Sequence, residues 1–145
     1  MGKNFKSPKH KQLSIINKAI EQQKNKSVQD LSGNDYFVIS FLHFDKMQSD
    51  SFESWENNSM LSKCLDVLAN YSCDKLTSQI GGDKFTKYNS FPPNSAFQHP
   101  SHVPEDAEWA RIHINGVHIV AGHIVKNVFY VVFLDSKHQF WKMKK

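Results

Sequence analysis

Residues 108–141 read EWARIHINGVHIVAGHIVKNVFYVVFLDSKHQFW, three apolar runs parted by two short polar breaks, Asn115-Gly116 and Lys126-Asn127. Asn-Gly between alternating β-formers is the strongest short-range hairpin signal, because a type I′ turn needs positive φ at both central positions. The spacing predicts that Trp109–Ile114 and Val117–Val125 pair antiparallel. After the second break, Val128–Leu134 reads as a third strand, apolar enough to be covered on both faces. A short further element is expected around Gln139–Trp141. Alternation sends Ala110, Ile112 and Ile114 to a core, and Trp109, Arg111 and His113 to the other face, where they should stand side by side. Gly122 inside a strand signals a bulge or a close approach, and leaves the side taken by His123 open.

Upstream, residues 1–9 are Lys-rich and read as a flexible basic arm, followed by one domain over 10–145. Leu13, Ile16 and Ile20 predict an amphipathic helix over residues 10–24. Tyr36–Phe44 (YFVISFLHF) predicts a deeply buried strand, and residues 46–57 a connection or short helix anchored by Phe52 and Trp55. Asn57-Asn58-Ser59 reads as a helix N-cap region, and Leu61, Cys64, Leu65, Leu68 and Tyr71 as the core-facing stripe of a helix running to about Ile80, closed by Gly81-Gly82. Residues 83–107 are expected to be a long Pro-rich loop, and long loops inside compact domains are often functional. The predicted fold is α+β, in two layers, with an antiparallel sheet packed on helices.

The 145 residues suffice for a core without metal or disulfide help. Net charge is +4, and seventeen of the eighteen basic residues are Lys, so an anionic partner competes with the plainer reading of solvated termini. Cys64 and Cys73, nine positions apart on one predicted helix, read as core thiols of a reducing compartment. No secretory leader and no membrane span is expected, since no apolar run approaches eighteen residues, and the expected location is the cytoplasm. His99-x-x-His102 is at most half a metal site, and a site from His113, His118 and His123 is weighed beside it; no metal or other cofactor is expected.

The element order and the last third resemble the RelE/ParE toxin superfamily, in particular its YoeB-like and HigB-like mRNA interferases. The resemblance rests on Trp109-Ala110-Arg111-Ile112, the hairpin arm His118-Ile119-Val120, Asn127 in the next turn, the apolar strand, and Lys137-His138-Gln139-Phe140. It implies a RelE-like fold and cleavage of mRNA, at the ribosome in that branch, through attack of a ribose 2′-hydroxyl on the adjacent phosphate. Arg111 would then hold the phosphate with its planar fork, and His138 would act as acid or base. His113 and His118 are further catalytic candidates; Lys126, Lys137, Trp141, His123 and Trp109 are candidate RNA contacts. The partners implied are RNA, the ribosome and a cognate antitoxin protein, with no membrane. The chain departs from the family where His118-Ile119 stands in place of a usual arginine. Each residue has a plainer reading: Arg111 as a surface ion-pair partner, with Glu105, Asp106 or Glu108 as the acid; His113 and His118 as structural; Asp135 as a turn former; Trp109 as packed core. The alternative function is a non-catalytic RelE-like module that binds a protein partner in phage defence or regulation.

Overall fold

The fold is taken from a computed structural model, which describes residues 36–142 together with Asn17 and Lys18. The chain divides after Asn34 into two units, and the second, Asp35–Lys145, carries the whole of the sheet. The helix expected over residues 10–24 and the basic arm over 1–9 lie outside the described residues, except for Asn17 and Lys18, which are helical.

Five strands form one sheet: β1 (Val38–Ser40), β2 (Phe85–Lys87), β3 (Glu108–Asn115), β4 (His118–Val125) and β5 (Val128–Asp135). Three helices lie between β1 and β2: α1 (Phe52–Asn57), α2 (Met60–Tyr71) and α3 (Leu76–Gln79). The sheet order is β1-β5-β4-β3-β2. The fold is therefore α+β, as expected, but the sheet is mixed: β1 runs parallel to β5, with Val38 opposite Val128, and all other pairs are antiparallel.

The meander stands where its sequence puts it, with different turns. Asn115 pairs with His118, and Gly116 takes positive φ (54°) while Asn115 does not. A type I′ turn needs two such residues, so the loop is a different one, centred on Gly116-Val117. In the second turn Lys126 takes the positive φ (56°), and Asn127 is buried instead. Its amide Nδ2 donates to Tyr36 O at 2.8 Å and its carbonyl accepts from Val38 N at 3.0 Å. Asn127 thus joins β1 to the meander.

The bulge foreseen at Gly122 is real, and the extra residue belongs to β5. Ala121 faces Phe133 and Gly122 faces Val131, leaving Val132 unpaired. That insertion shifts the alternation of β5, so Val132 and Phe133 both join one face while Phe129, Val131 and Leu134 serve the other. A near-continuous apolar strand can thereby feed two cores. On the first face Ile112, Val120 and Phe129 pack with Trp55, Cys64, Leu68 and Leu76 of the helices. On the second, Trp109, Ile119, Phe133 and Phe140 are covered by Phe91, Phe97 and Val103 of the long connection.

Several expectations are corrected. The strand expected over Tyr36–Phe44 is three residues long and half-buried; it lies at a sheet edge, and Phe41 and Leu42 are exposed. Beyond it, Asp45 N donates to Val132 O and Asp50 N to Leu134 O, so irregular chain continues the cover of β5. The helix expected to reach Ile80 breaks after Tyr71. Ser72 N and Oγ both donate to Leu68 O, and Gln79 Nε2 donates to Tyr71 O, so side chains take over carbonyls that a continuing helix would pair. Cys64 and Cys73 are therefore not on one helix: Cys64 is buried, its thiol pushed up to about 12 by burial, and Cys73 is exposed. Leu65 falls off the stripe and is exposed. Ser59 caps α2 from a left-handed conformation (φ 59°), without a side-chain hydrogen bond. Gly81 and Gly82 take positive φ, yet they follow an extended Ile80 and lead into β2 rather than closing the helix. The loop expected over 83–107 contains β2, whose three residues Phe-Thr-Lys were too few to signal a strand. Residues 139–141 form no strand, although Phe140 is fully buried.

Candidate functional site

Arg111 and His113 occupy alternate positions of β3 and so share a face. His138 reaches them from the segment after β5. Arg111 Nη1 donates to His138 Nε2 at 2.5 Å and to His113 Nε2 at 3.2 Å, and the two imidazole rings are 5.2 Å apart. A guanidinium has no acceptor. Both Nε2 atoms therefore act as acceptors in this arrangement.

The carboxylate of Asp135 explains how His138 comes to be there. It is buried, and accepts from Lys137 N at 3.1 Å and from Gln139 N and Phe140 N at 2.7 Å each. The three bonds fold the chain back and hold His138 at positive φ (54°), while Phe140 is pinned in the core below. Asp135 is the turn former its sequence context suggested, and it acts on the site by positioning His138.

Asp83, Arg111, His113, Lys137, His138, Gln139 and Lys142 line a cavity of about 690 Å³. Glu108 pairs with Lys87 at 3.0 Å, the one ion pair among the described residues, so the acids near Arg111 in sequence do not hold it. Arg111 Nε is buried without a partner. Among the described residues Asp83 is the only carboxylate on the cavity wall, against three basic side chains. Burial first, then the charges of Arg111 and His138, hold His113 below the ordinary histidine value, against a smaller upward pull from Asp83. His113 is accordingly a neutral base near pH 7, and among the described residues no carboxylate forms an ion pair with Arg111. Burial likewise pushes the Tyr88 phenol up, opposed by Arg111, and its hydroxyl has no partner. The site can hold an anion, accept a proton and return one.

Of the sequence candidates, Arg111, His113, His138 and Lys137 converge here. The others do not. His118 lies against the edge of Trp55, 5.1 Å between ring centres, on the helix-covered face. Trp109 is fully buried in the second core, because the connection covers the face expected to be open. Trp141 stacks on Tyr88 at 4.5 Å, so one face of its indole is already occupied. Lys126 sits in the β4–β5 turn, outside this cavity. Asp83, Gln139 and Lys142 were not among the candidate site residues, although Gln139 stood in the Lys137–Phe140 run; the charge of Lys142 close to His138 was the available signal for another.

His123 is buried in a separate cluster. Its Nε2 is 2.8 Å from His43 Nδ1, and both rings stack near Tyr130. His102 Nε2 donates to His43 O and His99 Nδ1 to Pro100 O, so the two histidines spaced as half a metal site each engage a carbonyl. The structure also separates His113, His118 and His123 into three environments, which removes them as a joint metal site. Burial, then repulsion from His43, His99 and His102, lowers His123 to about 4. The unfolded chain takes up this proton near pH 6.5 and the folded chain only near 4. Its contribution to stability, about 3 kcal/mol, is thus complete above pH 6.5 and lost as pH falls from there towards 4. Thermal melts across this range should show that loss, and a His123→Gln chain should show much less of it. An identical acid slope in both chains would contradict the assignment.

Among the described residues, no helix is long and apolar enough to cross a membrane. Compared with known proteins, the chain matches no family model, no curated protein and no solved structure.

Proposed function

We propose that this protein is an endoribonuclease, the toxin of a toxin–antitoxin module with a RelE-like fold, and that its site cuts mRNA by internal attack. The observation that carries the reading is the contact of one guanidinium, without an ion pair among the described residues, with two imidazoles in a cavity whose other basic groups are Lys137 and Lys142. A scissile phosphate supplies the negative charge that Asp83 alone does not match against Arg111, Lys137 and Lys142. When it binds, the Arg111 fork turns to the phosphate oxygens and frees both Nε2 atoms. With its Nε2 freed, His138 takes up a proton from solvent. His113 takes the proton of the ribose 2′-hydroxyl; the 2′-oxygen bonds to phosphorus; the bond from phosphorus to the 5′-oxygen breaks, and the leaving oxygen takes that proton from His138. The products are a 2′,3′-cyclic phosphate and a 5′-hydroxyl end. Arg111, Lys137 and Lys142 stabilise the charge gathered on the phosphorane.

A second reading, a binding module acting through a protein partner, is favoured by one observation. Phe41, Leu42, Met47 and Phe52 are exposed on and just after the β1 edge. The same surface serves an antitoxin under the first reading. Induced expression separates them. The nuclease arrests growth and leaves cut mRNA with cyclic phosphate ends, while His138→Ala, at equal soluble level, restores growth. Intact mRNA and normal growth with the wild-type chain would reject the nuclease in that host.

A further inference from the structure

A second cavity, of about 560 Å³, adjoins the cationic one and shares Asp83 and His113 with it. It opens between the end of α2, Gln79 of α3, and the β3–β4 hairpin at Ile114–Gly116. Val67, Tyr71 and Ile114 give it an apolar lining, beside the three side-chain amides of Asn70, Gln79 and Asn115. Among the described residues the side-chain amides of Asn70 and Asn115 make no hydrogen bond, and Gln79 spends its Nε2 on Tyr71 O and Lys75 O, which leaves its carbonyl oxygen facing no donor. An apolar lining with an aromatic ring and unspent amides, each carrying donors and an acceptor, has the chemistry that recognises a nucleobase: stacking on a ring and hydrogen bonds to the base edge. A site for a plain anion has no use for it.

We infer that this cleft is a base-recognition subsite, and that the ligand spanning the two cavities is a ribonucleotide, its base against Tyr71 and the amides and its phosphate at Arg111. The inference rests on the phosphate reading of the cationic cavity. It also accounts for the place of His113, which lines both cavities: a sugar bridging base and phosphate passes this imidazole, where a 2′-hydroxyl must lie to lose its proton. Cleavage is then selective for the base in the cleft.

The test is titration of the folded chain, by calorimetry and by histidine NMR, with inorganic phosphate, ribose 5-phosphate and the four nucleoside 3′-monophosphates. At least one nucleotide should bind about tenfold or more tighter than ribose 5-phosphate, the size of one stacked base. Asn70→Phe, at an exposed helix position, fills the cleft and should erase that preference while leaving ribose 5-phosphate binding unchanged. Asn70→Ala removes the amide without filling space and should reduce the preference for the favoured base about threefold. Equal binding of nucleotides and ribose 5-phosphate would overturn the subsite and leave the phosphate site standing. A nucleotide preference that survives Asn70→Phe would also overturn it, by placing the base elsewhere. No binding of any phosphate would remove the phosphate reading and the subsite together.

Discussion

Under the proposed nuclease reading, Arg111→Ala is expected to cut RNA cleavage by about a hundred- to a thousandfold, the usual cost of removing one positioned donor from a developing oxyanion. Arg111→Lys should recover only a small part, because an ammonium restores charge without the planar fork that takes two phosphate oxygens. Activity alone would not distinguish this role from a structural one, and His113 supplies the second reading. The Arg111 charge helps to hold His113 below the ordinary histidine value. Its removal should move the His113 titration, followed by imidazole NMR, upward, and the acid limb of residual cleavage should move to higher pH with it. Full cleavage by a folded Arg111→Ala chain would sink the assignment of the site. Loss of cleavage with an unmoved His113 titration would place Arg111 elsewhere in the mechanism.

The largest effect on stability is expected at Gly122. A Cβ there would overlap the Tyr130 carbonyl oxygen and lie 2.9 Å from the Tyr130 carbonyl carbon and 3.0 Å from Phe129 Cζ. The obstruction is backbone of the neighbouring strand at the bulge, which cannot swing aside as a side-chain end can. Gly122→Ala should therefore cost about 3–5 kcal/mol, beyond ordinary overpacking, and leave little folded chain at 37 °C. Denaturant midpoints measure this directly. A loss below about 1 kcal/mol would mean that the strands separate there more easily than their pairing implies.

The contrast between Gly122 and Trp109 shows what the sequence made legible. Strand alternation and the two polar breaks locate β3, β4 and β5 within a residue or so, because their signal is local. Alternation also puts Trp109, Arg111 and His113 on one face correctly. It does not say what covers that face, and here Phe91, Phe97 and Val103, distant in sequence, bury Trp109 and leave Arg111 at the rim. The same limit explains His118 and His123. One faces a helix and the other a loop, and neither neighbour is encoded near it. Arg111 and His138 were both visible as candidates, while their contact depends on three backbone bonds to Asp135 that no periodicity records. β2 and the edge position of β1 went unread because a three-residue strand owes its existence to its partner.

The parallel pairing of β1 with β5 bears on how the fold is reached. Each hairpin of the meander closes over two residues, whereas the Tyr36–Asn127 bond joins positions 91 apart. Loop closure over that separation carries a larger entropic cost, so β1 is expected to dock late, on a meander that already exists. Until it docks, the hydrogen-bonding edge of β5, the most apolar strand of the sheet, stands bare. The interval is a kinetic window for strand exchange between copies and for aggregation, and the buried amide of Asn127 is what helps to close it.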